Sequence, residues 1–349
     1  MLSIIGWVII VKIPFLEFPR SLNFRTLDAF SQALVQVRHL DQVGIDFRVA
    51  RWGTPFFLAA SGILIAEHKV RTGQRLHCIN FEHCSYFAHM GFFTSFGLAH
   101  GKLPGQASGS SNYLPINIID SDEIRAEAEE RDCAVGLVME ARAESLARIL
   151  ARKDDGPVVD ALTFSVREMF RNIVEHSEAD RLAYCAQAYP NRGHVEVGVF
   201  DLGRGLKAGL EENRKMSFEG DSGAIRCALM PGVSGKAEKV KRLRVKDAWT
   251  NSGYGLYMTS RLFRDHGSMS ICSGNSGLIL SGNDVISAPW SMRGTAIRLL
   301  LVEKRINDLN DQLAQYKREG AKARQEIGGA GLSEPSIAST SLARNFSGS

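Results

Sequence analysis

The motif E-M-F-R-N-I-V-E-H occupies residues 168–176, inside a helical pattern that covers about 159–175. Glu168, Asn172 and His176 stand one turn apart and share one face of that helix. The apolar residues recur at helical spacing on another face, as Leu162, Val166, Met169, Phe170 and Ile173. The pattern predicts an amphipathic helix with a line of polar groups. Taken alone, it also fits an ordinary solvated helix face.

The spacing of the carboxylate and the amide in this motif suits phosphate chemistry. Side chains four residues apart on a helix can converge on one small space. Asn172 offers a neutral oxygen, the kind of hard ligand that Mg²⁺ takes when phosphates and water complete its shell. Glu168 can orient or deprotonate a water or hydroxyl beside a terminal phosphate. We therefore take Glu168 as the candidate base and Asn172 as the candidate metal ligand.

A strand and a first glycine signature follow the helix. In H-V-E-V-G-V-F-D-L-G-R-G at 194–205, the alternating valines predict a strand that ends in Asp201. A carboxylate at a strand end can accept a hydrogen bond from an exocyclic amine such as that of adenine. Gly203 and Gly205 permit close approach of a ligand to the backbone. The alternative is an acidic turn between a strand and a loop.

A second glycine signature, N-S-G-Y-G-L at 251–256, opens another helix. Gly253 and Gly255 expose backbone N–H groups at its N-terminus, where the helix dipole favours an anion. Leu256 begins the apolar face of this helix, and an ordinary helix start is the alternative interpretation. M-R-G-T-A-I-R-L-L-L at 292–301 predicts a closing strand, with Thr295 either beside a purine pocket or inside the sheet.

In this order, the four motifs resemble the N, G1, G2 and closing G-T boxes of the GHKL ATP-binding superfamily, whose fold is the Bergerat fold. The resemblance covers about 158–303 and is closest to the kinase branch, with its sensor histidine kinases and anti-sigma-factor serine kinases. It implies an α/β protein of the α+β sandwich type, with a mixed sheet covered by helices on one face. A Walker A motif and a Rossmann fingerprint do not occur.

The resemblance implies a role for each matching residue. Asn172 would ligate Mg²⁺, Glu168 would act as the base toward water or a hydroxyl, and Asp201 would contact the adenine amine. The first glycine pair would shape the adenine side of the site and the second pair the phosphate side. The remaining nucleotide-binding residues that it implies are His176, Gly203, Gly205, Lys236, Gly253, Gly255, Leu256 and Thr295.

The stretch between the two glycine signatures, 206–252, corresponds in that superfamily to a mobile lid over the phosphates. It contains P-G-V-S-G-K at 231–236, followed by K-V-K-R-L-R-V-K at 239–246. Loops that close over a ligand sequester it from water, and Lys236 is the candidate phosphate contact. The second run is interpreted as a solvated face rather than a nucleic-acid surface, because no aromatic residues are interleaved with its charges.

Composition restricts the class of protein. A length of 349 residues suggests roughly two domains, and a net charge of +4 predicts no nucleic-acid partner. The apolar start is interrupted at Lys12 and Pro14, so it predicts a buried strand rather than a membrane span or a signal peptide. The six cysteines are scattered without a framework pattern, which favours a reduced, cytoplasmic setting.

The pattern divides the chain into an α/β domain at 1–120, a connecting helix at 121–157, the ATP-binding domain at 158–303, and a charged helix with a disordered tail at 304–349. In the first domain, helices are predicted near 27–40 and from Pro55 onward, with Thr54 as N-cap. The runs at 45–60, 73–80 and 86–93 resemble a STAS-like domain. That resemblance puts a phosphoacceptor near Thr54, where Pro55 and two phenylalanines replace the small residues usual there.

The combination predicts a regulatory protein that binds ATP and Mg²⁺ and acts on a regulatory protein partner. Assembly as a homodimer is an open alternative. One hypothesis is enzymatic: an ATPase or a protein serine/threonine kinase similar to the anti-sigma kinases. The other is a catalytically silent module in which nucleotide-gated lid closure changes the surface shown to a partner. Residues 121–153 contain no histidine, which argues against a self-phosphorylating histidine kinase. We also expect no transducer domain after residue 303, unlike in a topoisomerase.

Overall fold

The computed structural model describes residues 13–103, 112–235, 249, 252–306, 308–326 and 335–344. Three sequence predictions fall outside these residues: the opening strand within 1–12, the phosphate contact of Lys236, and the lysine-rich run at 239–246. Among the described helices, none is both long and apolar enough to cross a membrane.

The first part of the chain forms a three-stranded parallel sheet with helices. The strands, in their order across the sheet, are β1 (Phe15–Glu17), β2 (Gln42–Asp46) and β3 (Arg75–Ile79). The helices are α1 (Phe24–Gln36), α2 (Pro55–Thr72), α3 (Ser85–His89) and α4 (Phe92–Ser95). The predicted alternation of strand and helix is confirmed here. Helix α1 begins earlier than predicted because the Asn23 side chain caps it in a capping box.

A second, larger sheet has seven strands in the order β4-β5-β6-β10-β7-β8-β9. Its strands are β4 (Tyr113–Asp120), β5 (Arg181–Tyr189), β6 (His194–Asp201), β7 (Gly267–Gly274), β8 (Ser276–Ser281), β9 (Asp284–Ala288) and β10 (Met292–Val302). Every neighbouring pair of these strands is antiparallel. The predicted mixed sheet is therefore wrong, because short turns join β5 to β6 and β7 through β9 and impose antiparallel pairing.

Helices cover one face of the large sheet and share a hydrophobic core with it. They are α5 (Ser121–Glu130), α6 (Val135–Ala151), α7 (Pro157–Asn172), α8 (Gly205–Glu211), α9 (Asp221–Ala228), α10 (Gly255–His266) and α11 (Leu309–Glu326). The predicted connecting helix at 121–157 is in fact two helices, α5 and α6, and α6 packs along α7. Their apolar residues Ile124, Met139 and Leu146 are buried in this core, so both helices belong to the larger unit.

The predicted boundary of the first domain at residue 120 is also wrong, because β4 is an edge strand of the large sheet. It pairs with β5 in antiparallel register, with Asn117 opposite Tyr184. Ile116 and Ile119 of β4 are buried, which explains why this strand remains on the sheet. The parallel unit is therefore confined to the residues before β4.

The opposite face of the large sheet is covered by the first domain. Helix α2 lies against β5 and β6, and the Phe56 ring stacks on Phe200 with ring centroids 5.1 Å apart. Phe56 also lies 6.0 Å from the ring of Trp290. Apolar side chains of α2 and of the sheet form one buried cluster that joins the two units.

The carboxyl-terminal region is more ordered than the sequence predicts. The charged helix is confirmed as α11, which follows a 3₁₀ turn at Glu303–Arg305. A second 3₁₀ turn, Ala338–Thr340, lies within the described segment 335–344. Ala338 and Leu342 are buried against the larger unit, so the prediction of a disordered tail is wrong for this segment.

Candidate functional site

Helix α7 positions the polar residues of the first motif. Pro157 occupies the first turn of the helix, and its apolar face is buried in the core. Glu168 is only 3% exposed, whereas Asn172, the last residue of α7, is half-buried. A π-helical turn, Ile173–Ser177, follows directly and includes the backbone of His176. The side chain of His176 lies outside the described part of the structure.

Asp201 ends strand β6 as the sequence predicts, and it is buried next to Thr295 of β10. Its Oδ1 accepts a hydrogen bond from the Gly203 backbone N–H at 2.7 Å. Burial raises the pKa of Asp201 to about 6, although hydrogen bonds from Gly203 and from the side chain and backbone of Thr295 oppose the shift. The carboxyl group is therefore mostly ionised at neutral pH and can accept a hydrogen bond from a ligand.

The second glycine signature packs tightly at the start of α10. Gly253 has a φ of +70°, and a Cβ there would lie 2.2 Å from the carbonyl oxygen of Val233. A Cβ on Gly255 would lie 1.8 Å from Oε2 of Glu168. Position 253 therefore requires glycine, because its φ is positive and the backbone at 233 is in the way, whereas a side chain at 255 would displace the Glu168 carboxylate.

Most of the predicted residues come together in one pocket. Those that line it are Glu168, Asn172, Asp201, Gly205, Gly253, Gly255, Leu256 and Thr295. Gly203 does not line the pocket; it lies in the turn beside it, where its N–H holds Asp201. Four separate segments of the chain thus converge as predicted.

Other residues of the pocket wall were not predicted. They are Met169, Ile173, Ser177, Val199, Leu206, Gly209, Leu210, Ala228, Val233, Ser234, Gly235 and Ile297. Most of them are apolar or small, and a flat apolar ring could pack against them. Val199 and Ile297 could have been found by strand alternation, since each lies two residues from a predicted site residue on the same face. Ser177 carries no local signal.

Two buried arginines, also not predicted, surround Glu168. Arg167 is 0% exposed, and its Nε and Nη2 lie 3.2 and 3.0 Å from Oε1 of Glu168. Arg171 is 1% exposed, and its Nη1 lies 3.2 Å from the same oxygen. These contacts all go to Oε1, whereas Oε2 lies next to Gly255, and Glu168 is one of the residues that line the pocket. One oxygen is thus held by two arginines, while the other lies beside the glycine turn.

Arg171 has further partners that keep its charge in place. Its Nε donates to Glu175 at 3.1 Å, and its Nη2 donates to the carbonyl oxygen of Trp249 at 2.7 Å. Burial alone would lower the pKa of Arg171, but the carboxylates of Glu168 and Glu175 outweigh this effect and hold the pKa above its ordinary value. The sequence did carry a signal for this cluster. Arg167 and Arg171 lie on either side of Glu168, and arginines on a buried helix need carboxylate or carbonyl partners.

The donor set fits a hard cation that is bound together with a ligand. Asn172 and Glu168 supply oxygen atoms to one end of the pocket. Among the described residues, no group of three His, Cys, Asp or Glu side chains is gathered at one place. A cation at Asn172 would therefore take most of its oxygen ligands from the bound molecule and from water.

Comparison with known proteins gave no match, whether against protein-family models, curated proteins or solved structures. The pocket has an acidic acceptor at one end, a helix N-terminus with amide and carboxylate oxygens at the other, and apolar walls between them. This arrangement suits a ligand with an amine-bearing ring and an anionic tail.

Proposed function

We propose that this pocket binds ATP together with Mg²⁺ and that the chain is a regulatory GHKL-type protein with an amino-terminal STAS-like domain. The observation that carries the proposal is the convergence of Glu168, Asn172, Asp201, the glycine turn at 253–255 and Thr295 on one pocket. These groups are distant in sequence, and each answers a separate demand of an adenine nucleotide.

The adenine ring would occupy the end formed by Asp201 and Thr295. The buried carboxylate of Asp201 would accept a hydrogen bond from the exocyclic amine. Val199 and Ile297, on the same strands, would pack against the ring. Because Asp201 is already held by Gly203 and Thr295, it is oriented before any ligand arrives, which lowers the entropic cost of binding.

The phosphates would occupy the end formed by Asn172 and the N-terminus of α10. Backbone N–H groups at Gly255 and Leu256 are positioned by the glycine turn, and the dipole of α10 favours an anion there. Mg²⁺, when bound, would neutralise phosphate charge, with the Asn172 side-chain oxygen as its protein ligand.

Glu168 is the residue that would support chemistry. Its Oε2 would accept the proton of a water or a hydroxyl whose oxygen attacks the terminal phosphorus, while the bond from that phosphorus to the bridging oxygen breaks and ADP leaves. Arg167 and Arg171 fix the orientation of this carboxylate through Oε1. The phosphoryl group would pass to water in an ATPase or to a protein hydroxyl in a kinase.

A second function, a nucleotide-gated interaction module without turnover, is favoured by one observation. Phe200 stacks on Phe56 of the first domain, and it directly precedes Asp201 in the pocket. A change in β6 upon nucleotide binding would therefore reach the first domain through adjacent residues. The output in this case would be an altered protein-binding surface rather than a product.

Direct binding and turnover assays separate these functions. We expect calorimetry to detect ATP binding in the presence of Mg²⁺, and Asn172→Ala to weaken it by about tenfold or more. Asn283→Ala, at an exposed turn, is the matched control and should bind as the wild type does. Absence of ATP binding to the wild-type chain would rule out both functions.

Turnover is tested with Glu168→Gln, which keeps the shape of the side chain. Under the enzymatic function, this variant should retain ATP binding and lose turnover by about 10²- to 10⁴-fold. Glu129→Gln on the exposed side of α5 is the control and should leave turnover unchanged. ATP binding without turnover by the wild-type chain would instead favour the interaction module.

A further inference from the structure

The carboxyl-terminal segment 335–344, here called the strap, lies behind the helix that carries Glu168. Ala338 is 0% exposed, Ser339 is 2% exposed and Leu342 is 2% exposed. The exposed end of the strap is attached by an ion pair between Arg344 and Asp160 on α7, with Nη2 and Oδ2 2.5 Å apart. The strap is therefore packed as part of the larger unit rather than attached loosely to its surface.

The strap supplies two of the hydrogen-bond acceptors of Arg167. The carbonyl oxygen of Ala338 accepts from Nη2 of Arg167, and that of Ser341 accepts from Nη1 at 3.1 Å. The backbone N–H of Ala343 donates to Glu140 at 2.7 Å, and Glu140 in turn pairs with Arg167. A fully buried guanidinium needs all these partners, so loss of the strap would leave donors of Arg167 unpaired or let its side chain move.

A second contact joins the strap to the glycine turn of the pocket. Ser336 Oγ lies 3.4 Å from Oγ of Ser252, and Ser252 is 3% exposed. Ser252 directly precedes Gly253, at the end of the pocket where α10 begins. The strap thus contacts Arg167, which holds Glu168, and Ser252, which begins the glycine turn at the same end of the pocket.

From these contacts we propose that the strap stabilises the phosphate end of the nucleotide site. The strap holds Arg167 in place, and Arg167 acts as a positioning residue that orients Glu168. The proposal rests on the proposed function, because it assigns the strap to the phosphate end of that site. Displacement of the strap would then lower both turnover and the affinity for phosphates, and would leave the adenosine end intact.

The first test is a chain that ends at residue 334. Circular dichroism and thermal unfolding establish that it folds, and calorimetry then compares its affinities for Mg²⁺–ATP and for adenosine with those of the full chain. We expect ATP binding to weaken by on the order of tenfold and adenosine binding to be unchanged. Turnover, where the full chain has it, should fall by on the order of 10- to 100-fold in kcat. Addition of a synthetic peptide of residues 335–349 should restore both the affinity for ATP and the turnover.

A second test uses the full-length chain and does not depend on truncation. Leu342→Glu places a charge at a buried strap position and should reproduce the effects of truncation, whereas Ile337→Glu, at a strap residue that is 42% exposed, should behave as the wild type. Arg167→Lys keeps the charge but not the fork of donors, and should lower kcat more than it raises KM.

The outcomes separate this proposal from the proposed function. A full chain that binds neither ATP nor adenosine would refute the nucleotide site and the role of the strap together. A full chain that binds both, with a folded truncated chain and a Leu342→Glu variant that bind ATP and turn it over equally well, would overturn the role of the strap alone.

Discussion

The two faces of the seven-stranded sheet are built from the same strands, but one face lines the pocket and the other packs against the first domain. On β6 and β10, Asp201 and Thr295 face the pocket, whereas Phe200 and Ala296, one residue away, belong to the cluster shared with the first domain. Because side chains alternate along a strand, each strand contributes to both faces. The first domain therefore backs the wall of the pocket and contributes to the position of the site residues.

The faces also differ in how they treat polar groups. On the first-domain face, Glu196 is 1% exposed and accepts from the Thr54 hydroxyl at 2.5 Å, from the Phe56 N–H at 3.2 Å and from Arg298. These polar groups are paired with one another, and the guanidinium of Arg298 lies over the Phe57 ring, 5.9 Å from its centroid. On the pocket face, the carboxylates of Glu168 and Asp201 line the cavity. We therefore expect substitutions on the first face to change stability most, and those on the pocket face to change ligand binding most.

The largest effect on stability is expected for Phe56→Ala, because it empties the centre of the aromatic cluster. Phe56 is 0% exposed and touches Phe200 and Trp290. The free energy of unfolding should fall by about 3–5 kcal/mol in urea denaturation. Phe15→Ala, at a residue 46% exposed, is the control and should cost less than about 1 kcal/mol. Equal costs for the two variants would contradict the division between the faces.

Asp201→Asn should stabilise the chain at neutral pH while it weakens ATP binding. The pKa of Asp201 is raised from 3.8 to about 6 in the folded chain, so the folded state holds its proton more tightly than the unfolded state does. The contribution of Asp201 to stability is therefore favourable below about pH 4 and is lost as pH rises through about 6. Two pKa units correspond to about 3 kcal/mol.

This prediction is checked by urea denaturation of both chains from pH 4 to 7. The wild type should lose about 3 kcal/mol relative to Asp201→Asn over that range. A parallel pH dependence for the two chains would show that the burial of Asp201 carries no electrostatic cost.

Gly255→Ala should disturb the pocket face with a moderate cost in stability. The new methyl group would meet Oε2 of Glu168, so the carboxylate or the turn must shift, at about 1–3 kcal/mol. The affinity for nucleotide, measured by calorimetry, should also fall, because the shift displaces groups that line the pocket. Gly220→Ala places its methyl group in open space and serves as the control. Wild-type ATP binding by Gly255→Ala would disprove the close contact.

The smallest effect is expected for Thr54→Val, which removes one hydroxyl from the first-domain face. The hydroxyl donates to Glu196, so its loss should cost about 1–2 kcal/mol. A double-mutant cycle with Glu196→Gln measures the coupling between the two side chains.

The contact between Thr54 and Glu196 also occupies the hydroxyl that the STAS-like resemblance offered as a phosphoacceptor. We expect no phosphate on Thr54 in the folded protein, which mass spectrometry of the purified chain can check.

Local pattern predicted the elements of the site well. The strand that ends in Asp201 follows from periodicity, the helix that begins at Gly255 from the glycine turn, and the start of α2 from Pro55 in its first turn. Thr54 precedes α2 as predicted, but its side chain does not cap the helix, because its hydroxyl donates to Glu196. The convergence of their ends on one pocket was predicted from the resemblance of the four motifs rather than from any one of them.

The features that sequence reasoning missed depend on contacts between distant residues. Arg167 and Glu140 are 27 residues apart, and Arg167 and Ala338 are 171 apart. Nothing local to an arginine within a helix indicates which distant carbonyl will accept from it. The place of β4 at the edge of the large sheet was missed for the same reason, since its partner β5 lies beyond three intervening helices.

The position of β10 has a consequence for how the chain folds as it is synthesised. Within the described part of the chain this strand is the last of ten in sequence, yet it lies between β6 and β7. A nascent chain can pair β4 with β5 and β6, and separately β7 with β8 and β9, but the two halves remain apart until β10 leaves the ribosome. Until then β6 and β7 present open edges that could pair with other chains. Asp201 likewise lacks Thr295, so the last strand to be made both seals the sheet and completes the pocket.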